Sequence, residues 1–362
     1  METVLDSMVI GAGQAGLSAS YHLARRGLSH VVLDADAAPG GAWQHRWDSL
    51  TMADVHGIAA LPDADRPETA GADRANNALP TYFADYEAAH RLPVERPVRV
   101  DRVSEGSGAE TGLLVVHAGV RRWVTRTLVN ATGTWSQPFV PHYPGIETFR
   151  GEQLHTHDYS GSEHFRGRRT LVVGGGASAV QLLGEIAPLT ETLWVTRRHP
   201  VWRTDDFTPQ AGRDAVALVE ERVRQGLPPA SVVSVTGLAL REQERAAASL
   251  GVYRRRPMFT DIGPYGVRWD RPDGEVFEPV EVILWATGFR PAISHLAPLH
   301  LRGSRGGIAL DGTTALADPR IQLVGYGPSA STIGANRSGR MAATRVQRRL
   351  ADLEASSTTV SA

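Results

Sequence analysis

Twice along this chain a short apolar run breaks into glycines and gives way to small and aliphatic residues at helical spacing. Met8 to Ile10 ends on Gly11, Gly13 and Gly16, and Ala15, Ala19 and Leu23 then share one face of a 3.6-residue period. Gly27 suits a helix stop, and "HVVLD" reads as the next strand, closing on Asp34. The second pass starts at Leu171 to Val173, turns at Gly174, Gly176 and Ala179, and sets Val180, Leu183 and Ala187 on a helix face. "TLWV" is its following strand, with Arg197 just beyond. Strand, glycine turn, helix and strand in that order predict an α/β chain with two Rossmann-like dinucleotide-binding domains.

The glycine spacing carries chemistry. In G-x-G-x-x-G the first glycine permits the tight turn, the second lets a pyrophosphate approach the backbone, and the third lets helix and strand pack closely. The helix N-terminus then meets the phosphates with its positive end. Gly11, Gly13, Gly16 and the neighbouring Gln14 and Ala15 are therefore candidate cofactor contacts. Gly174, Gly176, Ala177 and Ser178 are their counterparts in a G-x-G-x-x-A variant. Asp34 stands as far from Gly11 as Arg197 stands from Gly174. A carboxylate there suits a free ribose 2′-OH and repels a phosphate, so the first cradle fits FAD or NAD. A guanidinium suits a 2′-phosphate, so Arg197 and Arg198 point the second cradle at NADP(H). Read as ordinary loop charges, the two arginines would simply face solvent.

Two further repeats frame the second cradle. "TLVNATGTW" (Thr127 to Trp135) and "EVILWATGF" (Glu281 to Phe289) each deliver Ala-Thr-Gly at the end of an apolar strand. They read as the two crossings of an inserted domain. The expected division is residues 1–155 and 289–362 for a discontinuous FAD domain, and 156–288 for the NADP domain, with a helical excursion at about 200–257. Ala131, Thr132, Gly133, Thr287 and Gly288 become candidate cofactor contacts, together with Val100, Tyr326 and Ile333. "APGGAWQHRWDSLTM" adds Gly41, Ala42, Trp43, Arg46 and Trp47: its glycines would let the backbone pass close to a flat ring; the alternative is a loop pinned by tryptophan packing. Ala64 to Thr81, rich in Pro, Ala and Asp, reads as a surface loop. Ala215, Leu218, Val219 and Val223 form a buried helical stripe, Arg254 to Pro257 a solvated face, and the tail after Leu353 a frayed end.

Composition removes several classes. The 362 residues carry a net charge of −1, which argues against a nucleic acid or an anionic membrane as partner. No apolar run is long enough to span a bilayer and no signal-peptide pattern precedes the first motif, so a soluble cytoplasmic protein is expected. There is no cysteine, hence no redox dithiol, and all 38 basic residues are arginine, hence no Schiff-base lysine.

With these motifs in hand the chain resembles the class B flavoprotein monooxygenases of the flavin-containing monooxygenase family, most closely the short bacterial members and over nearly its full length. "FRGEQLHTHDY" fits F-x-G-x-x-x-H-x-x-x-[FY] through Phe149, Gly151, His155 and Tyr159, and "GGAWQHRWDSL", "ATGTW", "WATGFRP" and "LVGYG" follow in family-like order. The resemblance implies FAD and NADPH as cofactors. It implies a small-molecule substrate and O2, homodimers, and oxygenation of a sulfide, an amine or a ketone through a C4a-(hydro)peroxyflavin. It also implies that a helix beginning near Thr332 to Ala335 aims its positive end at the flavin. Asp54 and Tyr159 are the candidate catalytic side chains, although for the motif as a whole a structural role linking two domains is implied. His155, His157 and Asp158 lack a third ligand pattern, so no metal is expected. The motif ends Tyr159-Ser160 rather than Trp-Pro, which leans away from a dedicated Baeyer–Villiger enzyme. Where many members place an Asn this chain has Ala53, which keeps open the alternative of an NADPH oxidase or electron-transfer reductase.

Overall fold

The computed structural model describes residues 3–55, 58–203, 209–229, 237–240, 242–272, 274–330 and 332–360. The chain divides into two compact units, one made of residues 1–134, 216–232 and 291–362 and the other of 135–215 and 233–290.

The first unit opens with β1 (Val4–Ile10), α1 (Gln14–Ala24) and β2 (His30–Leu33). Helix α2 (Ala75–His90), the short β3 (Val94–Glu95), and β4 (Arg102–Glu105), β5 (Leu114–Ala118) and β6 (Arg121–Asn130) follow. β1 runs parallel to both β2 and β6, the arrangement that a helical crossover imposes. Its last four residues are buried, as expected for a strand covered on both faces. Helix α2 corrects the reading of Ala64 to Thr81 as loop. Its buried stripe of Ala75, Leu79, Phe83 and Tyr86 holds a helix together even though Pro80 lies inside it. Local propensity predicts a break at Pro80; burial of one face overrides it.

The second unit has β7 (Glu152–His155), β8 (Thr170–Val173), α3 (Ala177–Ile186), β9 (Thr192–Val195) and the short β10 (Trp202–Arg203). After α4 (Pro209–Arg224) come β11 (Leu238–Ala239), α5 (Glu242–Ser249) and β12 (Arg255–Arg256). β13 (Asp261–Gly263), β14 (Gly266–Arg271), β15 (Gly274–Pro279) and β16 (Val282–Trp285) complete it. Among the described residues the strand order β12-β9-β8-β16-β7 forms a parallel sheet, and β13-β14-β15 an antiparallel one. The expected boundary at residue 155 is therefore displaced. β7 pairs in register with β16, from Glu152 with Val282 to His155 with Trp285, so residues 135–155 belong to the second unit. Residues 216–232 go the other way: Val223 is buried in the first unit's core with Ile308 and Tyr326. In α4, Val219 and Val223 are buried as the periodicity predicts but Leu218 is exposed, and the side chain of Ala215 lies outside the described residues. Arg255 and Arg256 form an edge strand beside β9, not a purely solvated face.

The chain then returns to the first unit through β17 (Leu310–Asp311), β18 (Thr314–Ala315), β19 (Asp318–Leu323) and α6 (Thr332–Val360). β19 joins the parallel sheet beside β6. Helix α6 starts where the sequence places it and continues past Leu353 to Val360, further than the expected frayed end. It packs against α1 through Ala342, Ala343 and Val346, and Gly339 lets it approach: a Cβ there would lie 2.5 Å from Ser18 Oγ. No helix among the described residues is long and apolar enough to cross a membrane.

Candidate functional site

The first cradle is formed where four stretches of backbone meet. Gly11 has φ of +98°, and a Cβ on it would meet the carbonyl oxygen of Ala131 at 2.6 Å. Ala131 is held there by its N–H donating to Ile10 O at 2.8 Å. A Cβ on Gly16 would run into the carbonyl of Gly11, which is why the third glycine is needed for helix α1 to sit this close. Gly41 comes in from the loop, where a Cβ would lie 2.8 Å from Gly13 Cα, and Gly325 lies near Ala15 and Gly133. Gly13 itself caps α1 in extended conformation with no side-chain cap, and the first turn carries no acid. The N–H groups of that turn, which lie beyond the reach of the helix's own carbonyls, suit an outside anion.

Around this cradle the expected residues take distinct places. Trp43 ends a 3₁₀ turn from Gly41 through Ala42, packs on the first core and carries the Arg46 guanidinium 5.7 Å from its ring. Burial lowers the Arg46 pKa to about 10. Trp47 is buried. Thr132 donates to Ala292 O at 2.6 Å and receives Asn130 Nδ2 at 3.0 Å. Asn130 Oδ1 accepts from buried His295 Nε2 at 2.7 Å, which fixes the turn holding Ala131 to Gly133. Val100 packs against the second core of this unit. Tyr326 is buried and its hydroxyl accepts from Ile308 N at 3.2 Å, so burial raises its pKa. Ile333 lies in α6 but its side chain is outside the described residues.

Gln14 ties three elements together: Nε2 donates to Ala59 O at 2.9 Å and lies 3.4 Å from Asn336 Oδ1, while Asn336 Nδ2 donates to Ala60 O. Asn336 escapes a sequence reading because its partners are hundreds of positions away. Asp34, at the end of β2, is buried and paired with Arg96, Nε to Oδ2 at 3.0 Å. Burial raises the Asp34 pKa and the Arg96 charge opposes that rise.

The second cradle repeats the plan. Gly174 has φ of +140° and a Cβ on it would strike the carbonyl of Ala286, whose N–H donates to Val173 O at 2.8 Å. Gly176 caps α3 without a side-chain cap, has open space where its Cβ would be, and is followed by Ala177 and Ser178 in an acid-free first turn. Arg197 and Arg198 are exposed just past β9, and among the described residues neither has an ion pair. Arg255 braces their turn from the edge strand, with Nε 3.1 Å from Thr196 Oγ1, Nη2 3.0 Å from Thr196 O and Nη1 3.1 Å from His199 Nε2.

The two candidate catalytic side chains are both engaged. Tyr159 is buried, stacks on Phe165 with centroids 5.6 Å apart, and donates to Glu185 Oε2 at 3.0 Å on α3. Burial and then the Glu185 charge push its pKa far up. Asp54 Oδ2 accepts from Thr51 Oγ1 at 2.7 Å within its own turn. His155 holds the second Ala-Thr-Gly turn: its Nε2 donates to Gly288 O at 2.9 Å while Nδ1 accepts from His157 N at 3.0 Å. Thr287 Oγ1 donates to Phe139 O in the same turn.

Comparison with known proteins agrees with this geometry. The family model described as pyridine nucleotide-disulphide oxidoreductase matches residues 8–227. The flavin-containing monooxygenase of Stenotrophomonas maltophilia superposes with a TM-score of 0.80 at 36% identity, over 97% of this chain and 100% of that one. A doubly substituted form of the flavin monooxygenase from that organism gives 0.82 and 37% over the same shares. The indole-3-pyruvate monooxygenase YUCCA1 of Oryza sativa subsp. japonica is 30% identical over 49% of this chain. The chain spans about half the length of the curated relatives it matches: 44% of that one and 60% of an uncharacterized oxidoreductase, CzcO, of Bacillus velezensis.

Proposed function

The chain belongs to the flavin-containing monooxygenase family, and we propose that it holds FAD on the first cradle and NADPH on the second, and uses O2 to oxygenate a small soft nucleophile, a sulfide or an amine. The observation that carries this reading is the pair of matched glycine cradles with opposite charge at equivalent strand ends: buried Asp34 in one, exposed Arg197 and Arg198 in the other. Each cradle offers an uncapped, acid-free helix start, which fits a pyrophosphate. Asp34 accepts the adenosine ribose hydroxyls and disfavours a 2′-phosphate. Arg197 and Arg198, with no acidic partner among the described residues, take the 2′-phosphate of NADPH.

FAD reduced by NADPH supplies the electrons and activates O2 when bound. The chain's own part is to bind, orient and exclude water. The absence of cysteine leaves no dithiol to pass electrons to a disulfide, despite the name of the wider family. Tyr159 braces α3 through Glu185, and Asp54 fixes the turn after Trp47, so both position the cofactor sites without exchanging protons. Oxygenation of ketones is the weaker option because the motif ends on Tyr159-Ser160.

Ala53 supports a second reading, an NADPH oxidase. Its N–H donates to Gly71 O at 3.0 Å, and its methyl offers no amide where many relatives carry one. One experiment separates the two. The FAD-loaded protein is supplied with NADPH, ¹⁸O2 and an aryl methyl sulfide. The monooxygenase reading expects one ¹⁸O in the sulfoxide per NADPH oxidised, the second oxygen leaving as water. Unchanged sulfide, with hydrogen peroxide formed at one per NADPH, overturns it in favour of the oxidase.

A further inference from the structure

We propose that Arg96 is a positioning residue for FAD: held in a fixed fork by Glu87, it aims Asp34 at the ribose. This rests on the reading that FAD occupies the first cradle. β3 pairs with β2 in parallel register, Val32 with Val94 and Leu33 with Glu95, so the next residues, Asp34 and Arg96, emerge side by side. Arg96 then binds two acids. Its Nη1 and Nη2 meet Glu87 Oε2 and Oε1 at 2.7 and 2.6 Å, a two-point fork that fixes the guanidinium plane. In that plane Nε donates to Asp34 Oδ2 at 3.0 Å. All three side chains are nearly buried, at 11%, 12% and 8% exposure for Arg96, Glu87 and Asp34.

The geometry has two consequences. Arg96 engages Oδ2, not Oδ1, so one carboxylate oxygen is not committed to the pair. A buried carboxyl also tends to take a proton, and the adjacent guanidinium opposes this. An ionised acceptor binds a hydroxyl roughly twice as strongly as a neutral one. Among the described residues the other charge acting on Asp34 is Asp36, whose backbone N–H also hydrogen-bonds the Asp34 carboxylate and whose own carboxylate is tied to His45 Nε2 and Gln44 Nε2, both at 3.1 Å. Glu87 stands behind Arg96 on α2.

The test is FAD affinity of the full-length apoprotein, measured by flavin fluorescence between pH 8 and pH 5.5, for wild type, R96M, D34N and the double variant. R96M is expected to weaken FAD by about 10- to 100-fold, the size of one lost charged hydrogen bond. The loss should grow as pH falls, because Asp34 without its counter-charge takes up a proton. In the D34N background, R96M should add little and its pH trend should vanish, since the two residues act through one contact. An equal R96M loss with and without Asp34, or no R96M loss at all, overturns the inference. D34N without effect on FAD instead overturns the assignment of FAD to this cradle. If R96M does not fold, R96K takes its place. It keeps the charge but cannot span both acids, so an affinity below wild type is expected, and wild-type affinity overturns the proposal.

Discussion

The carbonyl oxygen of Ala131 occupies the space that a side chain on Gly11 would need, 2.6 Å from the Cβ position, and Ala286 stands in the same way against Gly174. Each Ala-Thr-Gly strand end is thus the floor of a glycine turn. Each is also hydrogen-bonded to the last residue of the cradle strand at 2.8 Å. The repeat seen in the sequence as two separate motifs is one structural device used twice.

Gly11→Ala and Gly174→Ala should therefore separate the two sites. Each forces a side chain onto positive φ and into a backbone carbonyl, a change costing about 1–3 kcal/mol through overpacking. G11A is expected to lose FAD and lower the melting temperature. G174A should keep the flavin spectrum and raise the KM for NADPH by at least tenfold. Flavin content per chain and NADPH kinetics check this; loss of flavin in G174A would contradict the assignment.

Much of this was legible because it is local. Glycine spacing, strand runs and the helical stripes fall within one βαβ unit, so sequence order alone reports them. Contacts between distant segments were not. Arg96 reaches Asp34 across 62 positions and His295 reaches Asn130 across 165, and no periodicity announces either. Helix α2 was missed for a different reason: Pro and the polar residues before it read as loop, while its stripe gains meaning only once a core exists for it to face. The boundary at residue 155 was misplaced because β7 carries no glycine signature and declares its unit only by pairing with β16.

Replacing Arg197 and Arg198 together with glutamine should discriminate between nicotinamide cofactors. Both side chains are exposed and lack acidic partners among the described residues, so their removal costs the fold little. Each charge-assisted bond to a 2′-phosphate is worth about 1.5–3 kcal/mol. The KM for NADPH is expected to rise by one to two orders of magnitude, while NADH turnover changes by less than a factor of about three, roughly 0.7 kcal/mol. Steady-state kinetics with both cofactors decides it. Equal losses would mean that these arginines do not read the phosphate.

Tyr159→Phe asks whether the family motif ends in chemistry or in packing. The ring stays stacked on Phe165 while the hydroxyl gives up its hydrogen bonding to Glu185 and Ser162. A destabilisation of about 1 kcal/mol is expected, with kcat unchanged within about twofold, under 0.5 kcal/mol. Thermal unfolding and turnover under saturating NADPH measure both. A drop in kcat of tenfold or more with KM unchanged would restore Tyr159 as a catalytic group.

His295 gives the stability a sign with pH. Burial lowers its pKa in the folded chain to about 4, against 6.5 for the free side chain, and its Nε2–H donates to Asn130 in the neutral form. Above pH 7 both folded and unfolded chains hold it neutral, and it adds no pH dependence. Below pH 6.5 the unfolded chain takes up a proton that the folded chain refuses, so stability falls progressively as pH drops towards 4. The full effect is on the order of 3 kcal/mol. His22, lowered to about 4 by burial and then by Arg26, Arg340 and Arg25, acts in the same direction. His295→Gln retains a donor for Asn130 without a titrating ring. Urea unfolding at pH 7.5 should therefore show a loss of about 1 kcal/mol or less for the variant. At pH 5 the gap should close or reverse, because only wild type loses stability through that ring. A constant difference across pH 7.5 to 5 would mean that His295 does not stay neutral in the folded protein.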